Sequence, residues 1–215
     1  MEETFLTIIE VLGTIAFAIS GIRLAAAKRF DWFGAYVVGL VTAIGGGTLR
    51  DVLLDIPVFW MLSPMYLAVT GISLMTVLIF KRALVGGMRT LFIFDAIGLA
   101  LFVVVGIEKT IAAGFPMWVA VVMGIITGSF GGVVRDILLN EEPLFFRKDI
   151  YATACLAGGL SYWLLTLLNL PLWVPQTACA LVVIGLRVCA ATFHWSLPIL
   201  KVDPNLIPGD NENAQ

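Results

Sequence analysis

Ile44-Gly45-Gly46-Gly47-Thr48-Leu49-Arg50-Asp51 closes an apolar run with three glycines and two adjacent charges of opposite sign. Eighty-five positions later the chain returns to the same pattern as Ser129-Phe130-Gly131-Gly132-Val133-Val134-Arg135-Asp136. Laid over itself at that offset without a gap, residues 13–54 match residues 98–139 at 16 of 42 positions, where a composition this apolar gives roughly 4 by chance. The chain is an internal duplication, so the job done by the first stretch is done twice.

Composition says in what solvent. Of 215 residues, 60% are hydrophobic and 13% charged, with a mean hydropathy of +1.01; a soluble domain carries roughly 25% charged residues. The chain reads as an integral membrane protein. A net charge of −2 and scattered basic residues leave no stripe for nucleic acid. Cys155, Cys179 and Cys189 lie in apolar runs without CxxC spacing and read as small packing residues. The acidic start, Met1-Glu2-Glu3, lacks the basic region of a secretory signal, so the first apolar run is expected to remain in the mature protein.

A spanning helix needs about 20 apolar residues, and windows of that kind lie at 4–27, 31–54, 64–80, 90–108, 115–139, 149–168 and 175–198. The expected fold is an all-α polytopic membrane protein of seven transmembrane helices. Each copy of the duplication holds three spans, an odd number, so the second copy enters the membrane from the opposite side. Two inverted three-helix repeats result, with a seventh helix outside them. The boundaries are 1–89 for the first repeat, 90–170 for the second, 171–200 for the seventh helix and 201–215 for a polar tail. Asp31 is placed to cap the second helix. Lys and Arg gather in the loops on one side, which predicts an N-terminus outside and a C-terminus in the cytoplasm.

Gly45, Gly46 and Gly47, with their counterparts Gly131 and Gly132, weaken a helix by about 1 kcal/mol each relative to alanine. They let helices approach closely, or mark a kinked or unwound helix whose freed carbonyls face a watery path, or do both at once. Thr42, its repeat equivalent Thr127, and Ser129 offer neutral oxygens beside them, or bond back to their own helices. Charges inside a membrane cost about 2.5 to 3.5 kcal/mol on insertion scales. Two such charges, Arg50 and Arg135, each find an acid at equivalent depth, since Glu10 and Asp95 are also 85 apart. We therefore expect Glu10 to pair with Arg50, and Asp95 with Arg135. Arg187, mid-way along the seventh helix, is expected to face the bundle. Acids outnumber bases in this set once Asp51, Asp55 and Asp136 are counted, which favours cations over anions. His194 reads as interfacial. Nothing has nucleotide-binding, nucleophile–base or metal-ligand spacing, so neither an enzyme nor a cofactor is expected, and no structural metal beyond transient monovalent cations.

The doubled glycine–Arg-Asp motif, seven spans and the closing stretch from Arg187 to Trp195-Ser196-Leu197-Pro198 resemble the prokaryotic trimeric intracellular cation (TRIC) channels over about residues 5–200. The resemblance implies a homotrimer among membrane lipids in a bacterial inner membrane. It implies a pore within each protomer, permeable to potassium and other monovalent cations, and shaped by helices two and five kinked at their glycines. Phe130 stands where the first copy has Gly45, so the two halves need not be equally wide. Related bacterial sequences also carry a glycine-transporter domain name, which keeps a secondary transporter of a small solute such as glycine as the alternative.

Overall fold

The computed structural model describes residues 2–81, 84, 88–147 and 150–198; the expected polar tail lies outside them. Its elements are α1 (Glu2–Ala27), α2 (Trp32–Leu53), a 3-10 turn (Phe59–Met61), α3 (Met65–Ile79), α4 (Met88–Ala112), α5 (Met117–Leu138), α6 (Ala152–Thr166) and α7 (Trp173–Phe193). Among the described residues, five of these α-helices are long and apolar enough to cross a membrane. The other two, α3 and α6, are repeat equivalents of 15 residues each, about 22 Å of helix. The expected sixth span is thus shorter at both ends than its apolar window.

Local chemistry sets the helix ends, and it does so twice. Asp31 caps α2 by accepting from Gly34 N at 2.6 Å, as its position before the apolar run predicted. The turn before α2 reverses at Arg29, with φ 64°, and the turn before α5 at Gly114, with φ 85°. After α2 the chain goes left-handed at Asp55, and after α5 at Asn140, both with φ 54°; each pair is 85 residues apart. Asp and Asn tolerate that conformation better than other side-chain-bearing residues.

Within each repeat the first helix packs on the second and third, α1 on α2 and α3, α4 on α5 and α6. The repeats join through α1 against α4 and α2 against α5, while α7 lies against α4 and α6. Both contacts between repeats are reciprocal. A Cβ on Gly13 would press on the Phe102 ring, and one on Gly98 would collide with Phe17; the Phe17 and Phe102 rings themselves sit 5.3 Å apart. A Cβ on Gly46 would collide with the Thr127 carbonyl, and one on Gly131 with the Thr42 carbonyl. Residue i meets j′ and j meets i′, the mark of a two-fold axis, here relating the inverted halves of one chain. Large apolar side chains such as Trp32, Phe33, Leu62 and Ile79 cover the outside, each more than two-thirds exposed, as a surface facing lipid requires.

Both glycine clusters lie within unbroken α-helix. The expectation of unwound backbone with freed carbonyls is therefore corrected. Gly46 and Gly131 are needed because two helices touch there backbone to backbone, which any side chain prevents. Gly45, whose Cβ would meet only Gly131 Cα at an ordinary 3.5 Å, faces the same crossing without being indispensable to it.

Candidate functional site

Two buried charge clusters flank the α2–α5 crossing, one from each copy of the motif. In the first, Arg50 Nε and Nη2 donate to Asp51 Oδ1 at 2.8 and 2.6 Å. The other carboxylate oxygen, Asp51 Oδ2, accepts from Phe59 N at 2.9 Å. In the second, Arg135 Nε donates to Asp136 Oδ1 at 2.8 Å, and Asp136 Oδ2 accepts from Leu144 N at 3.1 Å. Phe59 and Leu144 are again 85 apart. The Arg-Asp pair is thus a folding device as much as a charge: one oxygen neutralises the buried guanidinium, and the other ties down the turn that follows the helix.

The first-helix acids divide differently. Asp95 Oδ1 accepts from Arg135 Nη1 at 2.6 Å, and the same nitrogen donates to Ser20 of α1 at 2.8 Å. Glu10 does not pair with Arg50. It pairs with Lys109 of α4 and accepts from Tyr66 Oη at 2.7 Å, while Arg50 is held by Asp51 and lies over the Phe59 ring. A single replacement explains the difference. Where the first half of the site meets Lys109, the second half has the repeat equivalent Leu24, so no lysine reaches Asp95 and the acid is left to Arg135.

Arg187, 5% exposed, faces the bundle. Its Nη2 is 3.7 Å from Asp95 Oδ2, its Nη1 donates to the Ile150 carbonyl at 3.3 Å, and the guanidinium lies over the rings of Phe92 and Tyr151. Each cluster is therefore balanced, Glu10 and Asp51 against Arg50 and Lys109, Asp95 and Asp136 against Arg135 and Arg187. The expected surplus of acid along the site is absent from these clusters. Thr42, Thr127 and Ser129 donate back to Val38, Met123 and Ile125 of their own helices at 2.6 Å each; their oxygens keep only acceptor capacity. His194 caps α7 in a left-handed conformation and is exposed.

Open space is unequal at the two clusters. A cavity of about 260 Å³ reaches Asp95 and Arg187 from the face where α1, α3 and α7 end. At the other cluster, Glu10, Arg50, Phe59 and Lys109 close around about 10 Å³. Lys109, Tyr66, Tyr151 and Ser20 are partners that the motif alone does not reveal. Tyr66 and Tyr151 had a signal, since they too are 85 apart, beyond the gap-free stretch. Elsewhere Glu108 Oε1 accepts from Tyr162 Oη at 2.6 Å and Gln176 Nε2 at 2.7 Å, an acid held by neutral donors. Among the described residues no cluster of His, Cys, Asp and Glu is able to hold a metal.

Comparison with known proteins places this arrangement. A family model described as "Glycine transporter" matches twice, over residues 7–82 and 92–167, one match for each repeat. The chain is 40% identical over 203 residues to the "UPF0126 inner membrane protein YadS" of Escherichia coli, covering 92% of this chain and 97% of that one. It superposes on the TRIC channel orthologue of Rhodobacter sphaeroides with a TM-score of 0.85 at 31% identity, over 89% of this chain and 100% of that one. A second structure, described as explaining conductance through TRIC cation channels, gives a TM-score of 0.81 at 32% identity, over 92% and 98%.

Proposed function

The chain belongs to the prokaryotic TRIC family, and from that membership we propose that it is a channel for monovalent cations, chiefly potassium. The path runs within each protomer, between the two repeats, past the Arg50–Asp51 and Arg135–Asp136 clusters and through the α2–α5 crossing at Gly46 and Gly131. The observation that carries this reading is the two-fold crossing itself. A route lined by equivalent groups on both sides of the membrane needs such an axis, and the structures on which this chain superposes are described as TRIC cation channels. Because the buried clusters are balanced, cation preference arises from carbonyl and hydroxyl dipoles and from transient separation of pairs, not from fixed net charge. Bending of α2 and α5 at their glycines widens the crossing. Three protomers assemble in the inner membrane, with the N-terminus outside.

One observation favours a carrier. The two clusters are repeat equivalents, yet one is open to a cavity and its twin is closed, the asymmetry from which inverted repeats generate alternating access. Purified protein in a planar bilayer separates the two. Unitary potassium currents with a cation-selective reversal potential support the channel; saturable exchange of a solute without unitary steps overturns it. Native mass spectrometry in detergent reads the trimer.

A further inference from the structure

We propose that the groove between the ends of α1 and α3 and the start of α2 holds the headgroup of one anionic phospholipid, a lipid whose phosphate is not balanced by an ammonium of its own. The groove encloses about 310 Å³. Its floor is apolar, made by the buried side chains of Ile22, Leu74 and Val77. Its rim carries Arg29, from the α1–α2 turn, and Lys81, from beyond the end of α3. Both are exposed, and among the described residues neither belongs to an ion pair. The other charged residue of the lining, Asp31, gives Oδ1 to Gly34 N as the α2 cap. The groove is therefore basic at the rim and apolar in depth, which is the order in which a phospholipid presents its phosphate and its chains.

Depth in the membrane agrees with charge. Trp32 lines the groove and is 69% exposed, and tryptophan gathers at the level of lipid headgroups. A comparison of the repeats then says which leaflet supplies the lipid. The positions equivalent to Arg29 and Lys81 are Gly114 and Thr166, so the counterpart at the opposite face has neither cation. Two cations stand at one face only, the face where Lys and Arg gather, and basic grooves between helices at a cytoplasmic face attract anionic headgroups. A free phosphate ion answers the cations but leaves the apolar floor uncovered. A seated headgroup ties the end of α3 to the turn that starts α2, the helix that forms the crossing with α5.

The inference is independent of the channel reading. Its test uses the full chain in vesicles of equal phosphatidylglycerol and phosphatidylethanolamine, with one lipid or the other brominated. Quenching of Trp32 is read as the signal that Trp32→Phe removes. The site is expected to prefer phosphatidylglycerol about thirtyfold, and Arg29→Asn or Lys81→Gln each to lower that preference about fivefold. Asparagine tolerates the left-handed backbone of Arg29, with φ 64°. Arg147→Gln removes an exposed cation from the same face outside the groove and is expected to leave the preference unchanged. The proposal is overturned if wild-type protein shows no preference, if Arg147→Gln lowers it as far as the groove variants do, or if excess inorganic phosphate abolishes it. The wild-type comparison decides even where a variant fails to fold, and conduction is read separately in the planar bilayer.

Discussion

At the scale of single residues, the two glycine clusters separate into positions that must be glycine and positions that need not be. Gly46→Ala and Gly131→Ala each force a methyl group into a facing carbonyl, and the expected loss is about 1 to 3 kcal/mol or more, read as a lower midpoint of thermal unfolding in detergent. Gly45→Ala is expected to be neutral or slightly stabilising, and Gly185→Ala, with nothing within 4 Å of its Cβ, to stabilise by about 0.5 to 1 kcal/mol through the unfolded chain. The carboxylates of the motif differ in the same measurable way. Asp51→Asn leaves Arg50 buried with no carboxylate, a loss of about 3 to 5 kcal/mol. Asp136→Asn is expected to cost less, since Asp95 still holds Arg135. Equal losses in the two variants would mean that Glu10 serves Arg50 after all.

At the scale of helices, α3 and α6 occupy equivalent places and begin beside equivalent tyrosines with unequal work. Tyr66 Oη donates to Glu10, whereas Tyr151 Oη is buried without a partner. Tyr66→Phe removes a hydrogen bond to a charged group and is expected to destabilise by about 1.5 to 3 kcal/mol. Tyr151→Phe removes an unsatisfied hydroxyl and is expected to change the unfolding midpoint little or upward. The helices also show where a span is read too long from hydropathy. Apolar windows at 149–168 and 175–198 run on past the real ends of α6 and α7, because loops that pack against a membrane bundle are as apolar as the helices they join. His194 halts α7 by turning left-handed, a decision of backbone geometry that no hydropathy window registers.

At the scale of the whole molecule, polar links tie one repeat to the other through α1 and the turn that follows it: Glu10 to Lys109, Ser20 to Arg135, and, on the exposed surface, Lys28 to Glu141. The Lys28 ammonium holds the Glu141 carboxyl below its usual range, so this surface link is present above the unfolded carboxylate pKa of about 4.3 and is lost as pH falls through the depressed folded value. The buried link is the stronger test of how the halves are joined. Glu10→Lys and Lys109→Glu are each expected to lower expression of folded protein, as like charges meet in the membrane, and the double exchange to restore it. Size-exclusion profiles of a fluorescent fusion read the outcome, and a double variant no better than the singles would remove this pair from the interface.

The sequence by itself determined the membrane solvent, the duplication, its inversion and the residues that head each charge cluster. All of these follow from composition, an odd number of spans per copy and a constant offset, quantities that need no third dimension. Only the tertiary structure decided which acid meets which base and why the glycines are there. Glu10 and Asp95 are equivalent in register, yet Glu10 meets Lys109 while Asp95 meets Arg135 and Arg187, and that choice is made by how the helices cross rather than by any motif. A glycine likewise carries no record of whether its missing side chain admits a kink or a neighbouring carbonyl; the facing helix, with Thr42 or Thr127 at the point of contact, settles it.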